Sequence, residues 1–268
     1  MMLKPGDILQ ERYEIQRILG KGGYGAVYEA SHLHLKHTVA IKELQHRSEP
    51  DFANRFEQEA RMLCQLHHPV LPRVSDYFLE HAGFYFVMDY IPGKDLGEYI
   101  QQHPDNHLNV DTTLHLIQPV LDVLAYLHDQ QPPVIHRDIK PANIRITPDE
   151  KVYLVDFGIA KLYDPTTQTS TSARAVTEGF SPLEQYQRGA TNQRSDLYAL
   201  GATLYYMLTG VVPPNAVQRI QTDPLIPLCH LNTTVPAYLE AIISHLLAIY
   251  PEQRYADIRR LQQDLAQQ

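Results

Sequence analysis

The feature that most constrains this chain is the run His136-Arg137-Asp138-Ile139-Lys140-Pro141-Ala142-Asn143, followed by Asp156-Phe157-Gly158. Together they supply a carboxylate at 138, an ammonium at 140, a carboxamide at 143 and a second carboxylate at 156. An isolated Asp or Asn in a loop is ordinarily a turn residue. Here Lys151 to Val155 carries a strand pattern between the two pieces. The fold must therefore set this loop and the end of that strand in a fixed relation.

Composition narrows the options. With 268 residues the chain is long for one core and short for two independent domains, which fits two lobes around a cleft. Hydrophobic content of 44% against 20% charged residues is that of a soluble globular protein. A formal net charge of -8 argues against broad binding to nucleic acid or an anionic membrane, both of which need a basic face. Cys64 and Cys229 are too few for a disulfide framework and point to a reducing interior such as the cytoplasm. The N-terminal residues lack the apolar run of a signal peptide, and the apolar stretches at 197–207 and 242–249 are too short to span a bilayer. Because the chain stops inside a helical pattern, it is expected to be either a cytoplasmic protein or the cytoplasmic domain of a longer one.

In the first third, Tyr13 to Leu19 alternates as a strand and runs into Gly20-Lys21-Gly22-Gly23-Tyr24-Gly25-Ala26-Val27. Glycines at 20, 22 and 25 let backbone N–H groups approach phosphates without a Cβ in the way. The pattern alone is weak, and a plain glycine-rich hairpin is the alternative. A dinucleotide-binding fold would open a helix here. Ala26 to Ala30 and Val39-Ala40-Ile41-Lys42 read instead as two further strands. Asp51 to Leu66 has helical apolar spacing and carries Glu57 and Glu59, either of which alone reads as a solvated helix charge. Phe84 to Tyr90 reads as a strand that breaks at Ile91-Pro92-Gly93. Asp111 to His128 is an amphipathic helix with Leu114, Ile117, Leu121, Leu124 and Leu127 on its apolar side. Closing helices are expected at 236–248 and 257–265. Neither His32/His34 nor His67-His68 has a convincing zinc-ligand spacing.

These motifs, over nearly the whole chain, resemble the eukaryotic-like (Hanks-type) bacterial Ser/Thr protein kinases. The resemblance implies an α+β, two-lobed fold, with a small β-rich lobe over residues 1–90 and a larger mainly helical lobe over 91–268. It implies ATP and Mg²⁺ as cofactors, with Mn²⁺ able to substitute, and protein substrates phosphorylated on Ser or Thr. Self-association for autophosphorylation in trans is compatible with it. Nucleic acid, and a membrane within this chain, are not implied.

By the same resemblance Asp138 takes the proton of the acceptor hydroxyl, Lys140 steadies the γ-phosphate, and Asn143 and Asp156 hold Mg²⁺. Lys42 reaches the α- and β-phosphates and pairs with Glu59. Gly20, Gly22 and Gly25 cover the phosphates, while Val27 and Ala40 roof the adenine. Met88 is the gatekeeper, backbone groups of Asp89 and Ile91 meet the adenine edge, and Asp95 meets the ribose. For Asp95 an ordinary loop residue is the alternative. Lys140 and Thr177 favour Ser/Thr over Tyr as acceptor. Thr169 and Thr171 fall where bacterial relatives autophosphorylate, and a phosphate there would find a counter-charge in Arg137. Asp196 is expected to hold the catalytic-loop backbone, and His136 to be packed rather than a base.

Two departures stand out. Ser181-Pro182-Leu183-Glu184 replaces Ala-Pro-Glu, with Glu184 still aligned to pair with Arg254. Arg145 stands where relatives often place an apolar residue on the adenine floor; its stem is expected to cover the base while its guanidinium points outward. A pseudokinase serving as a nucleotide-binding docking module is the alternative from another class, disfavoured because every chemical group is present. A small-molecule kinase of related fold is disfavoured by Lys140 and the complete segment through Glu184.

Overall fold

The computed structural model describes residues 2–22, 25–45, 52–81, 83–156, 176–187 and 191–267, without the side chains of residues 45, 52, 55 and 59. It forms two compact units, one built from Met1–Pro92 and one beginning at Gly93.

The first unit is a curled antiparallel sheet with strand order β1-β2-β3-β4-β6-β5. Its strands are β1 (Ile8–Leu9), β2 (Tyr13–Gly22), β3 (Gly25–His32), β4 (His37–Gln45), β5 (Val74–Glu80) and β6 (Gly83–Asp89). Strands β1 and β5 were not foreseen in the sequence; β2, β3 and β4 run a few residues beyond their expected limits, and β6 lies one residue earlier than expected at each end. Alternation gives the sheet two faces. On one, Tyr28, Ile41, Val87, Tyr85, Ile15 and Tyr13 form a closed core. The other takes helix α1 (Phe52–Gln65), whose Phe56 ring lies 4.9 Å from Phe84 and 4.5 Å from Phe86.

Inside that core sits a carboxylate. Glu43 is 7% exposed and accepts hydrogen bonds from the hydroxyls of Tyr28 at 2.7 Å and Tyr85 at 3.3 Å. A buried charge must be solvated by such donors or it destabilises the fold. Burial, then the bond to Glu43, pushes the Tyr28 phenol up to about 12, so it remains a donor at any physiological pH. Tyr28 also accepts the Leu3 N–H at 3.3 Å, which ties the N-terminal segment to the same cluster.

The second unit is mainly helical. Its helices are α2 (Leu96–Gln101), α3 (Val110–His128), α4 (Leu183–Tyr186), α5 (Gln193–Thr209), α6 (Ala216–Thr222), α7 (Leu228–Leu231), α8 (Ala237–Leu246) and α9 (Ile258–Ala266). A small sheet, ordered β7-β8-β9, joins β7 (Lys94–Asp95), β8 (Ile144–Ile146) and β9 (Val152–Leu154). Helix α5 is apolar nearly all round, from Leu197 through Leu208, which fits it for the middle of the unit. Asn192 starts it by accepting the Arg194 N–H, with Ser195 bonding back to the Asn192 N–H. Among the described residues no helix is long and apolar enough to cross a membrane.

The cluster around Glu43 yields a test of the first unit. Tyr28→Phe removes its shorter hydrogen bond while keeping the ring. It is expected to cost about 1–3 kcal/mol, read as an earlier thermal transition by near-ultraviolet circular dichroism. An unchanged transition would show that the buried carboxylate does not depend on that donor.

Candidate active site

In the first unit the sheet register gathers the candidates. Val27 stands opposite Lys42, and Lys42 opposite Phe86; Ala40 stands opposite Met88, and Gly20 opposite Val27. Directly opposed residues share a face, as do alternate residues along a strand. Gly20, Gly22, Gly25, Val27, Ala40, Lys42 and Met88 therefore all lie on the face that receives α1. Position 59 lies three residues beyond Phe56 on that helix, and the Glu59 side chain is outside the described residues. Its competitor Glu57 forms an exposed pair with Arg61 at 2.6 Å.

The glycines divide into two kinds. A Cβ at Gly20 or Gly22 would meet nothing within 4 Å, so these positions flank open space. Gly25 has φ +152°, and a Cβ there would come within 1.8 Å of the Glu43 carbonyl oxygen. Only glycine lets β3 lie this close to β4. Asp89 turns away, since its N–H bonds the Arg73 carbonyl at 3.1 Å and its carboxylate accepts the Arg73 N–H at 3.0 Å. Of its backbone groups only the carbonyl is left to serve a base. Ile91 follows β6 without regular structure.

In the second unit Asp138 is held from several directions. Its Oδ1 accepts the Thr177 hydroxyl at 2.9 Å, and its Oδ2 accepts Asn143 Nδ2 at 2.9 Å and pairs with Lys140 Nζ at 3.0 Å. Lys140 Nζ also reaches the Thr177 hydroxyl at 3.3 Å. The structure thus brings Asp138, Lys140, Asn143 and Thr177 into one constellation. Its floor is the short turn Pro141–Asn143, closed by the Asn143 N–H to the Lys140 carbonyl at 2.9 Å.

The loop is fastened to α5. Asp196, fully buried, accepts the His136 N–H at 2.9 Å, the Arg137 N–H at 2.8 Å and His128 Nε2–H at 2.9 Å. His136 is itself fully buried and accepts the Asp138 N–H on Nδ1 at 3.4 Å, which fits a packing role. The sequence reading missed His128. Its signal was a polar residue four positions after Leu124, on the apolar side of α3.

Metal fit rests on donor chemistry. Both Asn143 amide hydrogens are spent on Asp138, one on its carbonyl at 2.7 Å and one on its carboxylate, which leaves Oδ1 facing elsewhere. Asp156 follows β9 in a left-handed conformation, φ +57°, close to Asn143 through the Val155 N–H bond to the Asn143 carbonyl at 2.8 Å. A carboxamide oxygen and a carboxylate are hard oxygen donors, which suit a cation that keeps water and phosphate as further ligands. Phe157, Gly158, Thr169 and Thr171 lie outside the described residues.

Two candidates make local contacts of their own. Asp95 caps α2: its Oδ1 accepts the Glu98 N–H at 2.8 Å, and Glu98 returns a bond to the Asp95 N–H at 3.2 Å. The Arg145 guanidinium makes its hydrogen bond at an exposed position. Pairing of β7 with β8 sets Arg145 opposite Asp95, and Nη2 turns back to donate to the Gly93 carbonyl. Gly93 has φ +104°, and a Cβ there would lie 2.1 Å from the Ile146 carbonyl oxygen, so the turn under Arg145 requires glycine.

Glu184 and Arg254 form the buried pair suggested by sequence register, bidentate at 2.8 and 3.1 Å. Arg254 also donates to the carbonyls of Ala248, Arg194 and Ile249 and lies 4.9 Å above the Tyr198 ring. With its side chain fully buried, Arg254 has no solvent to replace a lost partner. Glu184→Gln is therefore expected to destabilise the second unit by about 3 kcal/mol, measured by denaturant titration. A shift below about 0.5 kcal/mol would mean that the carbonyls alone satisfy the guanidinium.

The chain is similar to known proteins over nearly its whole length. The protein kinase domain model matches residues 13–265. The serine/threonine-protein kinase PrkC of Bacillus subtilis is 32% identical, over 97% of this chain and 41% of its own length. The serine/threonine-protein kinase PknB of Mycobacterium leprae is 33% identical, over 96% of this chain and 43% of its own. The chain thus spans about two fifths of these curated relatives. Among solved structures, the apo form of PpkA-294 superposes with a TM-score of 0.78 at 29% identity, covering 98% of this chain and 99% of that one. The PknI kinase domain of Mycobacterium tuberculosis gives a TM-score of 0.76 at 26% identity, covering 99% of each chain.

Proposed function

The chain belongs to the protein kinase domain family, and on that premise we propose that it is the catalytic domain of a bacterial Ser/Thr protein kinase. The observation that carries the reading is the constellation on Asp138, whose two oxygens are oriented by Thr177, Asn143 and Lys140. The substrates are ATP and the hydroxyl of a protein Ser or Thr. The acceptor oxygen forms a bond to the γ-phosphorus as the bond to the β,γ-bridging oxygen breaks, and ADP leaves. Asp138 orients the hydroxyl and takes its proton. Lys140, beside it, offsets the negative charge of the transferred group.

Asn143 Oδ1 and the Asp156 carboxylate would hold a divalent cation, Mg²⁺ with Mn²⁺ as substitute, which when bound neutralises charge on the phosphates. On the first unit, Lys42 serves the α- and β-phosphates with Glu59 as its partner, and Gly20, Gly22 and Gly25 lie over them. Val27, Ala40 and Met88 pack on the base, with the Asp89 carbonyl and the Ile91 backbone at its edge. On the second unit, the Arg145 stem offers an apolar surface to the base, and Asp95 retains its second oxygen for the ribose. Autophosphorylation at Thr169 or Thr171 belongs to the same reading. So do protein substrates, self-association in trans, and a cytoplasmic setting, alone or as a domain of a longer protein. The net charge of -8 speaks against nucleic acid as a partner.

The test is direct. The purified chain incubated with Mg·ATP should gain mass in steps of one phosphate, and Asp138→Asn should slow this by about 10²–10⁴-fold. Equal incorporation by both proteins would remove Asp138 from the chemistry. ATP binding without any incorporation by the wild type would favour the nucleotide-binding docking module.

A further inference from the structure

Helix α4 carries a side chain whose contacts no expectation covered. Gln185 Nε2 donates to the Arg137 carbonyl at 3.0 Å, and its Oε1 is buried. Arg137 is the residue before Asp138, and its backbone is left-handed, φ +67°. A non-glycine residue in that conformation relaxes unless its surroundings hold it. Its N–H is held by Asp196 Oδ1 at 2.8 Å, and its carbonyl by Gln185. The strained residue is therefore gripped at both ends.

The grip on the carbonyl comes from the segment that also touches the carboxylate. Thr177 donates its hydroxyl to Asp138 Oδ1, and its N–H bonds Ser181 Oγ at 2.9 Å. The Ser181 N–H returns to the Thr177 carbonyl at 2.9 Å, and the Gln185 N–H to the Pro182 carbonyl at 3.0 Å. Glu184, next to Gln185, anchors the segment through Arg254 and accepts the Ser195 hydroxyl at 2.8 Å. One segment thus meets the catalytic loop on both sides of Asp138, at its side chain and at the preceding carbonyl.

We infer that Gln185 is a positioning residue that couples the order of the 177–186 segment to the orientation of Asp138. What the position needs is a donor aimed at the Arg137 carbonyl.

The inference rests on the kinase reading, so its experiment has one arm that needs turnover and one that does not. With dephosphorylated casein as acceptor, Gln185→Ala is expected to lower kcat about five- to tenfold, with KM for ATP changed by less than about twofold. Gln185→Glu places a carboxylate against the carbonyl, where it cannot donate until protonated. Its deficit relative to wild type should shrink as pH falls from about 8 to about 6, since burial raises a carboxyl pKa. An unchanged kcat in Gln185→Ala, or a pH-independent deficit in Gln185→Glu, overturns the inference. In parallel, amide hydrogen exchange of the segment 134–143 should be faster in Gln185→Ala than in wild type. Equal exchange overturns it even in a chain that transfers no phosphate.

Discussion

The constellation on Asp138 depends on one buried carboxylate that is not part of it. Asp196 lies in the first turn of α5, where the positive end of the helix dipole favours a negative charge, and it accepts three N–H groups. Two belong to the irregular backbone of His136 and Arg137, which no strand or helix would otherwise satisfy. The third belongs to His128 at the end of α3. Because α5 is packed on nearly every side, its position is fixed by burial, and Asp196 passes that fixity to the loop. Asp138, two residues beyond His136, then needs only local contacts to be aimed.

In the first unit the governing constraint is register. A slip of one residue between β4 and β6 would move Lys42 to the face occupied by Glu43. Such a slip would bury an ammonium in an apolar core and expose Ile41 and Val39. The cost of that exchange holds Lys42, Ala40 and Met88 on the face that meets α1. Glu43, bonded to two tyrosines across β3 and β6, adds polar contacts that exist in a single register.

Much of this was legible in the sequence because it is encoded locally. The loop from His136 to Asn143 contains its own ligands at short spacing, and residue pattern marked four of the strands of the first unit. The pairing of Glu184 with Arg254 followed from family register. What was not legible depends on distant encounters. Gln185 meets Arg137 across 48 positions, and His128 meets Asp196 across 68. Neither partner's sequence context announces the other. The Arg145 contact is of the same kind, since the carbonyl it reaches is presented by a left-handed Gly93 52 positions away. Asp95 is a different case. Asp95-Leu96-Gly97-Glu98 is a readable helix-start signature, so its capping role was present in the sequence beside the expected ribose contact.

If Asp196 sets the loop, weakening its acceptor capacity should disable transfer while leaving the nucleotide bound. The decisive measurement is phosphate incorporation by Asp196→Asn, alongside its ATP affinity and thermal transition. A carboxamide presents one acceptor oxygen and turns an NH₂ toward donors. Displacing the reacting groups by about 1 Å is worth about 10²-fold in rate. The expected result is a folded protein that binds ATP as the wild type does and incorporates phosphate about 100-fold more slowly. A folded Asp196→Asn protein working at the wild-type rate would contradict the account.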